Sequence, residues 1–216
     1  MRRVSLYVVI AVAAAGLGFA IFQYGVAPRL NAAAPEAPAA TTAAAEPQAE
    51  LTAPTSLPEF SLQDRDGQMR SITSWTGKSM IVNFWATWCA PCRREIPLLK
   101  QIQEQQATEG FQVVGVAVDD RDEVLSFADQ IAINYPLLIG EQDGLDAVMK
   151  FGQGSLGFPF TAFTDQQHRI VAFHQGELTK SQADALLGVI GKLNRGELTL
   201  EAARTLADEQ LGALEG

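Results

Sequence analysis

The chain has two cysteines, Cys89 and Cys92, and they stand two residues apart within Trp88-Cys89-Ala90-Pro91-Cys92. Thiols at this spacing can carry reversible thiol–disulfide exchange: one, as thiolate, attacks a disulfide sulfur, and the other resolves the mixed disulfide. A free cysteine, with a pKa of about 8.5, is mostly protonated at neutral pH, so one member of the pair must be activated. A helix starting at about Cys89 would do this, because its unpaired N–H groups and positive dipole end favour negative charge on the first sulfur. Pro91 suits such a first turn, where its missing donor costs nothing. Cys89 is therefore expected to be the exposed attacking thiol and Cys92, one turn in, the shielded resolving one.

Other chemistry fits the same residues less well. A C-x-x-C pair is also half of a zinc site. Zinc wants four ligands, and the remaining candidates, His168 and His174, lie too far along the chain from Cys92 for a finger. His168 reads as a surface residue at a turn and His174 as a strand-end residue. A purely structural bridge across so small a loop would remove little chain entropy. Glu95 lies one helical turn after Cys92, and helical side chains lean toward the N-terminus, which aims its carboxylate at the thiols as an acid–base group. From the residues alone, Glu95 is equally an exposed first-turn glutamate that stabilises the helix end. Arg93 and Arg94 read as solvated, with the alternative that one helps hold the thiolate, Trp88 as a shield over the sulfurs, and Trp85 as scaffold.

The elements that would position these groups follow from periodicity and turn chemistry. Residues 80–85 form a short apolar run suited to a buried parallel strand, and 111–118 form a second. The helix after the cysteines carries Ile96, Leu99 and Ile102 on one face, with a kink expected at Pro97. Ahead of the first run, 60–63 and 68–72 flank Asp64-Arg65-Asp66-Gly67 as a hairpin, and 160–164 with 170–173 form another. Asp120 with Glu123 predicts a helix start, as does Thr179 with Gln182. A strand is expected over 135–139 and a short helix over 145–151, ended by Gly152 and Gly154. The order, hairpin–β–α–β–α–β–α–hairpin–α, describes an α/β fold with a mixed central sheet flanked by helices. The tail, 198–214, is apolar at Leu200, Ala203, Leu206, Leu211 and Leu214, a further amphipathic helix that either docks on its own domain or meets a partner.

The N-terminal quarter has a different character. Arg2 and Arg3 precede an apolar run from 6 to 27, which exceeds the about 7–15 residues of a cleaved signal core and reaches the roughly 20 of a spanning helix. Residues 1–27 are read as a signal anchor, with cleavage at Ala32-Ala33-Ala34 as the other outcome. The basic residues ahead of the span keep the N-terminus cytoplasmic and send the body across. In a bacterium that places a single-pass protein in the inner membrane with its body in the periplasm. Residues 28–56, rich in Ala and Pro, form a linker with a coil reach of about 30 Å. A domain over 57–194 and a helical extension over 195–216 complete the chain. The whole carries a net charge of −9, and setting Arg2 and Arg3 apart leaves 14 basic against 25 acidic residues, or −11. Nucleic acid is excluded as a partner on that ground.

Trp88-Cys89-Ala90-Pro91-Cys92, following Val82-Asn83-Phe84-Trp85-Ala86, resembles the thioredoxin superfamily, and Glu95 with Pro97 is similar to its membrane-anchored TlpA/ResA-like branch. The resemblance covers 57–194, including a central insertion over 119–151. It implies a thioredoxin fold and thiol–disulfide oxidoreductase activity without a bound cofactor beyond the redox-active pair. It further implies a reductive role toward protein disulfides, with electrons from a membrane thiol donor, in settings such as cytochrome c maturation. Gly157-Phe158-Pro159-Phe160-Thr161 resembles the family's cis-proline loop, with Pro159 cis and the backbone of Phe158 available to a substrate strand. Judged from the residues alone, a trans turn proline would be expected there. Phe158 and Phe160 are larger than the family's usual residues, and Asn83 replaces a buried aspartate and cannot relay a proton. The candidate catalytic residues are thus Cys89, Cys92 and Glu95, and the candidate substrate-binding ones Trp88, Phe158 and Pro159. A disulfide oxidase or isomerase is the near alternative, because the Ala90-Pro91 dipeptide does not set the redox potential. From another class, the thiols could hold copper or a cytochrome-assembly client without turnover.

Overall fold

The computed structural model describes residues 54–152 and 157–215. The span over 1–27, the linker up to 53 and Gly154 lie outside them. Among the described residues no helix is long and apolar enough to cross a membrane. The elements in chain order are β1 (Ser61–Gln63), β2 (Met69–Ser71), β3 (Ser79–Trp85), α1 (Ala90–Gln106), β4 (Phe111–Val118), α2 (Arg121–Gln130), β5 (Leu137–Gly140), α3 (Gln142–Met149), β6 (Phe160–Thr164), β7 (Ile170–Gln175), α4 (Lys180–Asn194) and α5 (Leu200–Glu215). Seven strands form one sheet in the order β2-β1-β5-β4-β3-β6-β7. The central pairs β3–β4 and β4–β5 are parallel, and the flanking ones are antiparallel.

Period-two alternation in the central strands divides the interior into two cores. On β3, Ile81 and Trp85 face a cluster covered by α1, α2, α4 and α5, while Met80, Val82 and Phe84 face a second cluster on the other side, with α3 and the first hairpin. Asn83 falls on the Ile81–Trp85 face, the side on which α1 lies. Its burial is complete. The second cluster is built on aromatics: Phe84 stacks on Phe160 with ring centroids 4.3 Å apart and meets Phe151 edge-on at 5.1 Å. Phe160, larger than the family's usual residue there, therefore packs into this core.

The caps follow their residue types. Asp120 accepts from the Asp122 and Glu123 amides at 3.0 and 3.1 Å, and Thr179 with Gln182 forms a reciprocal capping box. Pro97, read as a kink, sits on the exposed side of a helix that continues to Gln106. Two boundaries differ from expectation. β5 starts at Leu137 rather than at Tyr135, because Pro136 has no amide for the ladder, although its carbonyl accepts from Gly115 at 3.0 Å. α3 starts at Gln142, earlier than the apolar pattern indicated, and includes Gly144, where a Cβ would lie 3.4 Å from Val118. Thr55 and Ser56, at the end of the stretch read as linker, already belong to the sheet edge: Ser56 bridges to Arg169, and the Thr55 carbonyl accepts from Ile170 at 3.0 Å. α5 docks on its own domain, burying Ala203, Ala207 and Leu211.

Phe84→Ala should remove the shared ring of the second core and leave a cavity, at a cost of about 3–5 kcal/mol. Urea denaturation checks this, with a lowered midpoint and an unchanged slope expected.

Candidate active site

β3 ends at Trp85, and the chain turns through 86–88 before α1 begins, so the helix N-terminus is delivered to the carboxyl end of a central strand. Cys89 is the N-cap. Its sulfur accepts from the Cys92 amide at 3.3 Å, and its backbone N–H donates to Ala86 at 3.2 Å. Pro91 lies in the first turn, where no donor is lost. The two cysteines are joined, with Cα atoms 5.3 Å apart, so the structure holds the oxidised form. Both sulfur-bearing residues are largely covered: Cys89 keeps 5% exposure and Cys92 none. The order of accessibility matches expectation, but Cys89 is far less open than "exposed" implied. The turn ahead of it is braced by Asp119, which accepts from the Thr87 amide at 2.9 Å and from its hydroxyl at 2.5 Å.

Glu95 is not an exposed first-turn glutamate. It is 1% exposed, on the buried side of α1. One carboxylate oxygen accepts from Asn83 Nδ2 at 2.6 Å and the other from the Leu178 amide at 2.7 Å. Asn83 Nδ2 also donates to the Thr161 hydroxyl at 3.0 Å, while its Oδ1 has no partner. Burial pushes the Glu95 carboxyl up to about 7; the two N–H donors pull against that rise and the nearby charge of Glu177 adds to it. Tyr135, buried with its hydroxyl unpartnered, has its phenol pushed upward by burial and then by Glu95. A carboxyl poised near neutrality, one turn from a dithiol, can accept and return a proton at the pH where such chemistry runs.

The surface around the cysteines is aromatic on one side. Trp88, next to Cys89 in the chain, is 69% exposed, a projecting ring tilted against half-buried Phe158 with centroids 6.1 Å apart. The Phe158–Pro159 bond is cis, and the Pro159 carbonyl accepts from Gly176 at 2.9 Å. Asn83, Thr161 and Glu95 thus link β3, the strand after Pro159 and α1. Arg93 and Arg94 are exposed but not simply solvated: Arg93 lies over the Phe127 ring at 5.3 Å, and Arg94 donates to Glu177 at 2.7 Å. His174 is buried, with Nε2 3.3 Å from the Glu177 carbonyl, and His168 sits at a turn with its ring on the Trp75 carbonyl. Among the described residues no three His, Cys, Asp or Glu side chains form a metal cluster. Sequence reasoning missed Leu178, Thr161, Tyr135, Asp119 and Glu177. Leu178 acts through its amide, which leaves no side-chain signature, whereas Thr161 was within reach because alternation on β6 turns it toward Asn83.

Comparison with known proteins agrees with this geometry. The redoxin family profile matches residues 52–187. A thioredoxin-like protein, YneN, of Bacillus subtilis is 33% identical over 134 residues, which cover 60% of this chain and 75% of the relative. The thiol-disulfide oxidoreductase ResA of Geobacillus thermodenitrificans is 31% identical over 124 residues, 57% of this chain and 69% of the relative. The crystal structure of a thiol:disulfide interchange protein of the thioredoxin family from Chlorobium tepidum superposes with a TM-score of 0.55 at 34% identity, covering 66% of this chain and 97% of that one.

A carboxyl raised from 4.5 to about 7 binds its proton more tightly in the folded state than in the unfolded one. Its contribution to stability is therefore full below the ordinary value and is lost as pH rises to about 7, a loss of about 3 kcal/mol. Denaturation of the oxidised protein at pH 5 and pH 8 should register most of that fall. In Glu95→Gln, with the Asn83 amide turned so that Oδ1 accepts from the new donor, the fall should be largely absent.

Proposed function

Because this chain belongs to the redoxin family and is a thiol–disulfide oxidoreductase, we propose that it serves as a reductant of protein disulfides. The observation that carries the proposal is the closed Cys89–Cys92 bridge at a helix N-terminus, with the buried Glu95 carboxyl one turn on. In the reduced protein, Cys89 as thiolate attacks one sulfur of a client disulfide. The Cys89–client S–S bond forms, the client bond breaks, and one client thiolate leaves. Cys92 then gives up its proton, with Glu95 as the acid–base group, and attacks the Cys89 sulfur. The intramolecular bridge closes and the second client thiolate leaves, so two electrons have passed to the client. A dithiol donor restores the enzyme by two exchanges: one donor thiolate attacks the Cys89 sulfur and frees Cys92, and the second donor thiol then closes the donor's own disulfide and frees Cys89. No bound cofactor takes part in this scheme.

Trp88 and Phe158 form the substrate-side surface, with Pro159 buried next to them and the backbone at Phe158 as the edge against which an extended client segment lies. The wider setting rests on the sequence of 1–56: a single apolar anchor in a bacterial inner membrane, with the catalytic body in the periplasm and its electrons from a membrane thiol protein. Cytochrome c maturation, which offers cysteine-bearing clients in that compartment, is the process we assign to it. The ResA and interchange-protein relatives support the exchange chemistry on which this assignment builds.

The test of direction is the reduction potential of the Cys89–Cys92 pair in the body from residue 54, by equilibration in dithiothreitol or glutathione buffers. A value of about −270 mV or below supports a reductant, and one near −120 mV would replace the proposal with an oxidase. Cys92→Ser should accumulate a mixed disulfide through Cys89 when offered a disulfide peptide, visible as a mass adduct. Adduct formation through the remaining thiol of Cys89→Ser instead would reverse the assigned roles.

A further inference from the structure

Two consecutive residues of α1 hold two consecutive residues of the turn between β7 and α4. Arg94 Nε donates to Glu177 Oε2 at 2.7 Å, with Nη2 at 2.5 Å from the same oxygen. One residue on, the Leu178 amide donates to Glu95 Oε2 at 2.7 Å. We propose that Arg94 is a positioning residue for the acid–base group of the dithiol, acting by neutralising Glu177 in this clasp. The proposal rests on Glu95 being that group.

Stability does not account for the pair. Its side chains are 60% and 36% exposed, and an ion pair so open to water contributes little to folding. The position has a second consequence. Glu177 is the residue before the amide that anchors Glu95, so its charge is carried to the buried carboxyl by the same turn. The other groups near Glu95 carry no fixed charge. β3 offers Asn83 and β6 Thr161, both uncharged. Tyr135 ahead of β5 is a buried phenol. α1 offers the bonded sulfurs, and β7 offers the His174 ring against the Glu177 carbonyl. Glu177 raises the proton affinity of Glu95, and Arg94 limits that effect by placing a fixed positive charge on the same carboxylate. Removing one partner or the other should therefore move the titration of Glu95 in opposite directions.

The test is a carbon-13 titration of glutamate-labelled, oxidised protein, with the Glu95 carboxyl assigned as the signal missing in Glu95→Gln. In Arg94→Gln its midpoint should rise, and in Glu177→Gln it should fall, each by roughly half a unit. The double variant should follow Glu177→Gln, and Arg93→Gln, which removes a charge with no bond to Glu177, should move it far less. A rise in both single variants would mean that the pair only steadies the Leu178 amide mechanically, and would overturn the proposal. No movement in either would overturn it too. The pH profile of exchange with a disulfide peptide is recorded alongside. If the carboxyl moves as stated while that profile does not, the electrostatic clasp stands and the role of Glu95 in exchange falls.

Discussion

An ionisable carboxyl sealed from water has to be met by donors, and this fold brings them to Glu95 from places far apart in the chain. Asn83 comes from the centre of β3, and the Leu178 amide from the turn ahead of α4, 12 and 83 residues away respectively. Neither donor comes from α1 itself, whose amides beyond the first turn are spent within its ladder. The carboxyl therefore requires the helix to dock on the sheet in one register and the β7–α4 turn to close over it. Desolvation works against the charge, and the two N–H groups work for it. The balance leaves a group that titrates close to neutrality.

The placement of the dithiol follows from the same docking. Parallel pairing of β3 with β4 puts the loop after β3 at the carboxyl end of the sheet, where α1 starts and where Cys89 serves as the cap. Alternation along β3 then assigns each neighbour its side: Phe84 to the aromatic core and Asn83 to the helix face. An amide suits that position in a way a carboxylate would not. A second negative charge beside Glu95 would be repelled at close range in a low dielectric, whereas an amide presents a donor to the ionised form and, once turned, an acceptor to the protonated one.

Much of this was legible in the residues. Strand periods and cap pairs place β3, β4, β6 and α4 to within a residue or so, since Thr179 with Gln182 and the apolar runs are local signals. The cysteine pair and its N-terminal helix position are local as well. The boundary of β5 depended on the missing amide of Pro136, and that of α3 on a close approach over Val118, which a hydropathy pattern does not register. The burial of Glu95 was only half legible, because the spacing aims it at the thiols but the cover comes from residues whose contribution is a backbone amide or a distant carboxylate. Long-range partnerships such as Arg94 with Glu177, 83 residues apart, carry no trace in either local segment.

The final helix has a consequence for how the domain bears force. Arg204 on α5 donates to the Ile170 carbonyl at 2.9 Å and to the Thr55 carbonyl at 3.0 Å, and the Ile170 amide donates back to Thr55. The segment at Thr55 and Ser56 is thereby riveted to β7 and to α5 together. Tension applied to the leading segment would be borne by that rivet, at an edge of the sheet, and α1 with its sulfurs would stay out of the line of pull.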